Sequence, residues 1–159
     1  MPLAQKAKLN MGFSNLDRAT KVTRVMTSQA VGTASVNGNI LDMEGFEGVE
    51  FILQAGAITD GNLSIKTQDG AAANLSDAAD MAGTLVTLQN TDDNKAAVLD
   101  IVRPVKRYIR PVVVRGGATG AVIDSVIAIQ YAARNKPVAN DAATVGNTET
   151  WVSPADGTA

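Results

Sequence analysis

The stretch from Gly48 to Gln68, GVEFILQAGAITDGNLSIKTQ, limits the possible folds more than any other part of the chain. In its first half Val49, Phe51, Leu53 and Ala55 alternate with Glu50, Ile52 and Gln54, the period of two that turns one side of a strand into a core. After Asp60-Gly61 the alternation resumes as Leu63, Ile65 and Thr67 against Ser64 and Lys66. Asp-Gly between two such runs predicts a hairpin, because glycine takes a positive φ without steric cost. The register adds a condition. With Asp60 and Gly61 alone as the loop, the odd-numbered apolar residues of the first strand fall opposite Ser64 and Lys66. Either a three-residue loop from Asp60 to Asn62 or a one-residue bulge at Gly56 restores a single apolar face.

The rest of the chain carries the same extended pattern. Lys21 to Ser28 reads as a first strand, and Val36-Asn37-Gly38-Asn39 as a turn. Gly45 and Gly48 frame Phe46, which predicts a ring tucked against the sheet. Ser76 as N-cap, Ala78 and Ala79, and Gly83 as stop predict one or two helical turns. Thr84 to Gln89 and Lys95 to Val102, joined by the polar turn from Thr91 to Asn94, predict a second hairpin. Val105 to Val114 is extended but contains Pro111, which cannot donate to a ladder, so that strand lies at an edge there or is bulged. The turn from Arg115 to Gly120 feeds a last strand, Ala121 to Tyr131. In it Ile123, Ile127, Ile129 and Tyr131 share one side, while Val122, Val126 and Ala128 share the other with Asp124 and Gln130. Both sides are mostly apolar, so this strand is central or its outer face meets another subunit.

Seven strands joined by Gly and Asp/Asn turns indicate an all-β fold, an antiparallel β-sandwich or jelly-roll-like barrel. The body is expected over residues 21–134. Residues 1–20 form an N-terminal arm with the apolar anchors Leu3, Met11, Phe13 and Leu16 but no sustained period, the alternative being a frayed terminus. Residues 135–159 form a C-terminal extension with Trp151 as its one large apolar anchor.

Charge and composition remove several classes of function. The net charge is −2, so nothing global favours nucleic acid, whose affinity rests on Lys and Arg at phosphates. The charge is uneven, however. Lys6, Lys8, Arg18, Lys21 and Arg24 face only Asp17 in the first 24 residues, while Asp141, Glu149 and Asp156 face Lys136 after residue 135. The two ends can therefore attract each other or different neighbours. Without histidine or cysteine there is no zinc site of the usual type, no Ser-His-Asp triad and no thiolate nucleophile. Asp92-Asp93, Asp77 with Asp80, and Glu44 with Glu47 remain as carboxylate pairs, all in turn or helix-start contexts where solvated carboxylates are common. No catalytic, cofactor or metal site is expected. No run of about 18 apolar residues appears, so no membrane partner is expected and the chain is read as made in the cytoplasm. Lys106-Arg107-Tyr108-Ile109-Arg110 places Lys106, Tyr108 and Arg110 on one strand face, a basic stripe suited to an acidic strip on a protein partner, the alternative being nucleic acid.

Three segments, GFEGVEFILQAGAITDGNLSIKTQDG, TDDNKAAVLDIVRPVKRYIRPVVV and GGATGAVIDSVIAIQYAARNKP, together resemble a group of small virion structural proteins of tailed bacteriophages. The likeness runs from about Asp42 to Pro137. It rests on Gly48 to Phe51, Thr59 to Gly61, Asp93 to Lys95, Lys106 to Arg110 and Gly120 to Pro137, in that order and spacing. The small-residue loop after Gln68 and the Thr/Asn-rich tail after Pro137 depart from the group's pattern. The resemblance implies a non-enzymatic decoration or cement protein on the capsid surface, bound to the major capsid protein and trimeric at local three-fold positions. Val122, Val126 and Ala128, or Tyr108 and Val112, are candidate intersubunit residues, with Lys106, Arg110, Trp151 and the arm anchors as further contacts. The alternatives are a head-tail connector or tail component, and a carbohydrate-binding sandwich used in host attachment.

Overall fold

The computed structural model of the chain describes residues 15–151 and Gly157. A single helical turn, α1 (Leu16–Ala19), opens the described chain, capped by the Asn15 side chain, which accepts from Arg18 N–H at 3.1 Å. Eleven strands follow. They are β1 (Lys21–Met26), β2 (Gln29–Gly32), β3 (Val36–Asn37), β4 (Leu41–Asp42), β5 (Gly48–Ile58), β6 (Asn62–Gly70), β7 (Ala79–Asp80), β8 (Val86–Gln89), β9 (Ala96–Val102), β10 (Tyr108–Arg115) and β11 (Ala121–Tyr131). Seven of them match the strands read from sequence, and the short β2, β3, β4 and β7 are additional.

Two antiparallel sheets face each other. The first runs β1-β11-β5-β9 with β2 also on β11, and the second places β3 and β4 on one side of β10 and β6 on the other, with β7 and β8 beyond. With β3 and β4 counted as one interrupted strand and β2 and β7 set aside, eight principal strands take the orders 1-8-3-6 and 2-7-4-5. That is the jelly-roll arrangement of a β-sandwich.

This topology corrects two pairings expected from the sequence. β5 and β6 lie in different sheets, as do β8 and β9, so neither pair is a hairpin. Each is an arch whose strands face one another across the core. The arch resolves the register problem without forcing one sheet to hold both strands, because Phe51 and Leu53 point down from one sheet onto Leu63 and Ile65 of the other. The connecting loop has three residues, Thr59 to Gly61, and β5 also carries an irregularity between Ala55 and Ile58 opposite Ile123 and Ala121. The expected helix near Ser76 is replaced by turns and β7, because the Asp77 carboxylate accepts from Ala71 and Ala72 N–H and folds that loop back on itself.

Pro111 sits in a central strand rather than at an edge. Its carbonyl accepts from Gly38 N–H at 2.8 Å, so the missing donor also faces the β3–β4 side, where the outer strand is interrupted between Asn37 and Leu41. The interruption leaves no acceptor waiting for the absent proton.

The core is one cluster between the sheets, built around Phe51, Leu53, Leu63, Ile65, Ile109, Val113, Ile123 and Val126, with Phe46 packed at its margin as expected. Each such side chain removed from water contributes about 1.5–3 kcal/mol. Gln130 is buried among them, and its Nε2 donates to the Asp42 carbonyl at 2.8 Å, tying β11 of one sheet to β4 of the other.

Candidate functional site

A register shift in β11 between Ile123 and Ser125 decides which residues this central strand shows to the outside. After the shift Val126, Ala128 and Gln130 point inward, each no more than 1 % exposed, while Ile127, Ile129 and Tyr131 point outward. Val126 and Ala128 are therefore core residues and cannot be intersubunit contacts, which corrects the sequence reading. Val122 lies before the shift, half-buried on the outer side beside Gly56.

The outer face of the first sheet follows from the pairing. Arg24, Ile127, Ile52 and Val98 form one row across β1, β11, β5 and β9, and Val22, Ile129, Glu50 and Asp100 form the next. Val98 is 52 % exposed and Val102, further along β9, 63 %. Tyr131 ends the strand with its ring over Gly48, where a Cβ would overlap it, and its hydroxyl donates to Asp100 Oδ1 at 2.7 Å. Partial burial and that neighbouring carboxylate push the Tyr131 phenol up to about 12. The face thus combines an apolar centre with a carboxylate flank. Ile52, Ile127, Ile129, Val98, Glu50 and Asp100 were not singled out from sequence. The available signal was Ile52 on the polar phase of β5, together with a β11 that is apolar on both of its phases.

The outer face of the second sheet is polar and internally paired. Arg110 donates from Nε and Nη2 to Gln68 Oε1 at 2.9 and 2.7 Å, and Ser64 and Thr87 share a hydrogen bond of 2.8 Å. The basic stripe is likewise engaged. Lys106 meets Asp69 at 3.2 Å, and Arg107 binds Asp42 through two nitrogens, contacts Glu44 and stacks 5.3 Å from the Tyr108 ring centre. Tyr108 and Arg110 share a face of β10, but Lys106 lies in the bend before it and turns to Asp69 on the other phase of β6, so it does not extend that face, and Arg110 is held by the neutral Gln68 amide.

At the end of the sandwich where the β4–β5 and β9–β10 loops meet, a shallow groove of about 430 Å³ is lined by Phe46, Arg103, Val105, Arg107 and Arg134. Glu47 partly offsets its positive charge, meeting Arg134 at 3.3 Å and Arg103 at 3.7 Å. Val105 at the loop tip is 93 % exposed.

The loop carboxylates, those of the Asp92-Asp93 and Asp77–Asp80 pairs among them, hold loops together. Asp60 accepts from Ala118, Thr119 and Gly120 N–H at 2.7, 2.8 and 2.9 Å, so its carboxyl is held below the ordinary range. Asp92 accepts from Gln89 N–H and Lys95, and Asp93 accepts from Ile58 N–H at 2.6 Å. Asp80 takes Lys66 and Gln68. Among the described residues no group of three or more acidic side chains is placed to hold a metal ion.

The C-terminal segment lies along β1. Asn140 Oδ1 accepts from Val22 N–H at 2.8 Å, Thr144 Oγ1 from Arg24 N–H at 3.1 Å, and Val138 N–H donates to the Arg18 carbonyl at 3.0 Å. Asp17 accepts from Asn140, Thr148 and Thr150. The two ends do meet, through hydrogen bonds from uncharged side chains to the Asp17 carboxylate and through bonds to the edge of β1. Of the remaining sequence candidates, Leu16 is 68 % exposed on α1 and Trp151 57 % exposed, while Leu3, Met11 and Phe13 lie outside the described residues. Tyr108 and Tyr131 stand on opposite sheets and share no aromatic platform.

No family model matches the chain, and no curated protein matches it. Among solved structures the chain is similar to a protein of the Bacillus endospore appendages described as a family of disulfide-linked pili, at 10 % identity and a TM-score of 0.47. That likeness covers 77 % of this chain and 96 % of the other. It is also similar to a CBM4 structure, at 10 % identity and TM-score 0.36, covering 77 % and 88 %. A third similarity is to PirA, at 18 % identity and TM-score 0.31, covering 77 % and 99 %. At these scores none of the three carries an argument about what this chain does.

Proposed function

We propose that the protein is a non-enzymatic structural component of a tailed-phage virion, a cement or decoration protein that binds the major capsid protein lattice and stabilises it. The resemblance of its strand segments to such proteins supplies the class. The observation that supports it beyond the sequence is the outer row Ile127, Ile52 and Val98, an apolar strip on a sheet face that no element among the described residues covers. A stiff sandwich with one such face suits a part that is held by neighbours rather than one that turns over substrate. A trimer at local three-fold positions is the arrangement that goes with this reading, with Ile52, Ile127 and Val98 replacing Val126 as contact residues.

A cement protein strengthens a shell only in so far as it binds the assembled lattice better than free subunits. Pelleting the purified protein with assembled shells, and separately mixing it with unassembled major capsid protein, measures that difference. Binding to shells and not to free subunits is expected. Equal binding to both, or to neither, contradicts the reading. Copy number separates cement from connector, since cement scales with the lattice and a connector with one vertex.

A further inference from the structure

Unpaired sheet edges are where a β-protein is open to other chains. Most edges here are blunted. The C-terminal segment covers β1, and the second sheet ends in the short strands β3, β4, β7 and β8. The exception is β9. It is seven residues long and pairs with β5 on one side, and among the described residues no hydrogen bond reaches its other side. It contains no proline, lysine or bulge of the kind that normally protects an edge.

Two features beside this edge point to what covers it. Leu99 and Ile101 on its inner side are buried but each 7 % exposed, against 0 % for Phe51 and Leu53 one strand further in, so a small apolar margin of the core remains uncovered there among the described residues. On its outer side Asp100 faces Glu50 directly across the β5–β9 pair, and among the described residues neither forms a salt bridge. Like charges placed opposite each other destabilise a sheet unless a cation joins them.

The chain contains a segment with the complementary pattern. Within the first 18 residues, which show no sustained period as a whole, the eight from Lys6 to Phe13 do alternate. Ala7, Leu9, Met11 and Phe13 occupy one phase, and Lys6, Lys8, Asn10 and Gly12 the other. A strand of this kind would turn its lysines to Glu50 and Asp100 and its apolar phase to the rim at Leu99 and Ile101. It cannot do so on its own copy. Asn15 and α1 lie at the β1 side, where Asp17 and Arg18 bond to the C-terminal segment, and β1 and β9 are opposite edges of the sheet. Three strand spacings separate those edges by about 15 Å. Ser14 is the only residue between Phe13 and Asn15, a reach of at most about 7 Å.

We propose that residues 6–13 of one copy add as a strand to the free edge of β9 in a second copy, head to tail, with Lys6 and Lys8 over the Glu50–Asp100 pair. Such a contact closes into a ring when its rotation allows and otherwise propagates. The proposal concerns self-association in solution and does not rest on the virion reading.

Sedimentation velocity of the full chain tests it. The unmodified protein is expected to self-associate. The pair K6E and K8E, and separately the pair E50K and D100K, are each expected to weaken association at least about tenfold. The chain carrying all four changes is expected to recover most of the loss. A protein that stays monomeric at every accessible concentration, or a four-change variant no tighter than either pair, overturns the proposal. Carbodiimide cross-linking of an equal mixture of 14N and 15N unmodified chains decides the matter even if a variant misfolds. Mixed-isotope links from Lys6 or Lys8 to Glu50 or Asp100 are expected, and their absence contradicts the strand addition.

Discussion

The Asp60 carboxylate accepts the Gly120 backbone N–H at 2.9 Å, and with that bond the β5–β6 arch is fastened to the β10–β11 arch. Arches need such fasteners because their strands belong to different sheets and share no ladder. The contact is close. Gly61 and Gly117 both have positive φ, and a Cβ on either would overlap the backbone of the opposite loop. Asp60→Ala is expected to lower the melting temperature and to speed hydrogen exchange at Ala118, Thr119 and Gly120 by roughly tenfold, leaving β9 amides little changed. Gly117→Ala is expected to destabilise the fold by about 1–3 kcal/mol through strain at that φ.

Acid should loosen the molecule through its loops. Asp60 is held below its ordinary value of 3.8 by the N–H groups of Gly120, Thr119 and Ala118, and Asp77 by those of Ala71 and Ala72. A carboxyl lowered in the folded state adds stability that is complete above its unfolded pKa and lost as pH falls through the folded one. Urea midpoints are expected to be flat above about pH 5 and to fall below about pH 4. Asp60→Ala and Asp77→Ala should each make that fall shallower. An unchanged acid limb in both variants would show that these carboxylates do not set it.

Neighbouring residues on β11 should behave oppositely. Val126 is fully buried, and Val126→Ala is expected to cost about 2 kcal/mol by chemical denaturation. Ile127 points outward, so Ile127→Ala is expected to cost less than about 1 kcal/mol while weakening contacts with other copies or with the shell. The reverse ranking would place the register shift elsewhere.

The C-terminal segment should act as an edge guard. Asn140→Ala removes the acceptor for Val22 N–H and one partner of Asp17, and is expected to cost about 1 kcal/mol. Removing residues 138–151 altogether is expected to raise light scattering during thermal unfolding, because the outer edge of β1 becomes available for pairing.

The strands were legible because Val49 to Ala55 and Leu63 to Thr67 alternate cleanly, and the all-β class followed from them. The pairing was not. Asp60-Gly61 marks a tight reversal, but the same residues serve a hairpin within one sheet and an arch between two. The parity of the two runs held the clue, since odd residues inward on both sides is natural for strands facing each other across a core. The shift at Ser125 left no mark, because Ile123 and Ile127 keep an apolar phase that runs straight through it. The exposed face was half legible. β11 read as apolar on both sides, yet which valines and isoleucines faced outward depended on that one irregularity. The role of Asp60, Asp77 and Asp93 as loop fasteners depends on backbone N–H groups far away in sequence, which no local pattern specifies.

The most direct test of the structural reading is a cryo-EM reconstruction of the virion at side-chain resolution. The sandwich is expected on the outer capsid surface at every equivalent lattice position, with Ile52, Ile127 and Val98 covered by a neighbouring chain. A shell without this protein, or its confinement to one vertex or to the tail, would contradict that reading.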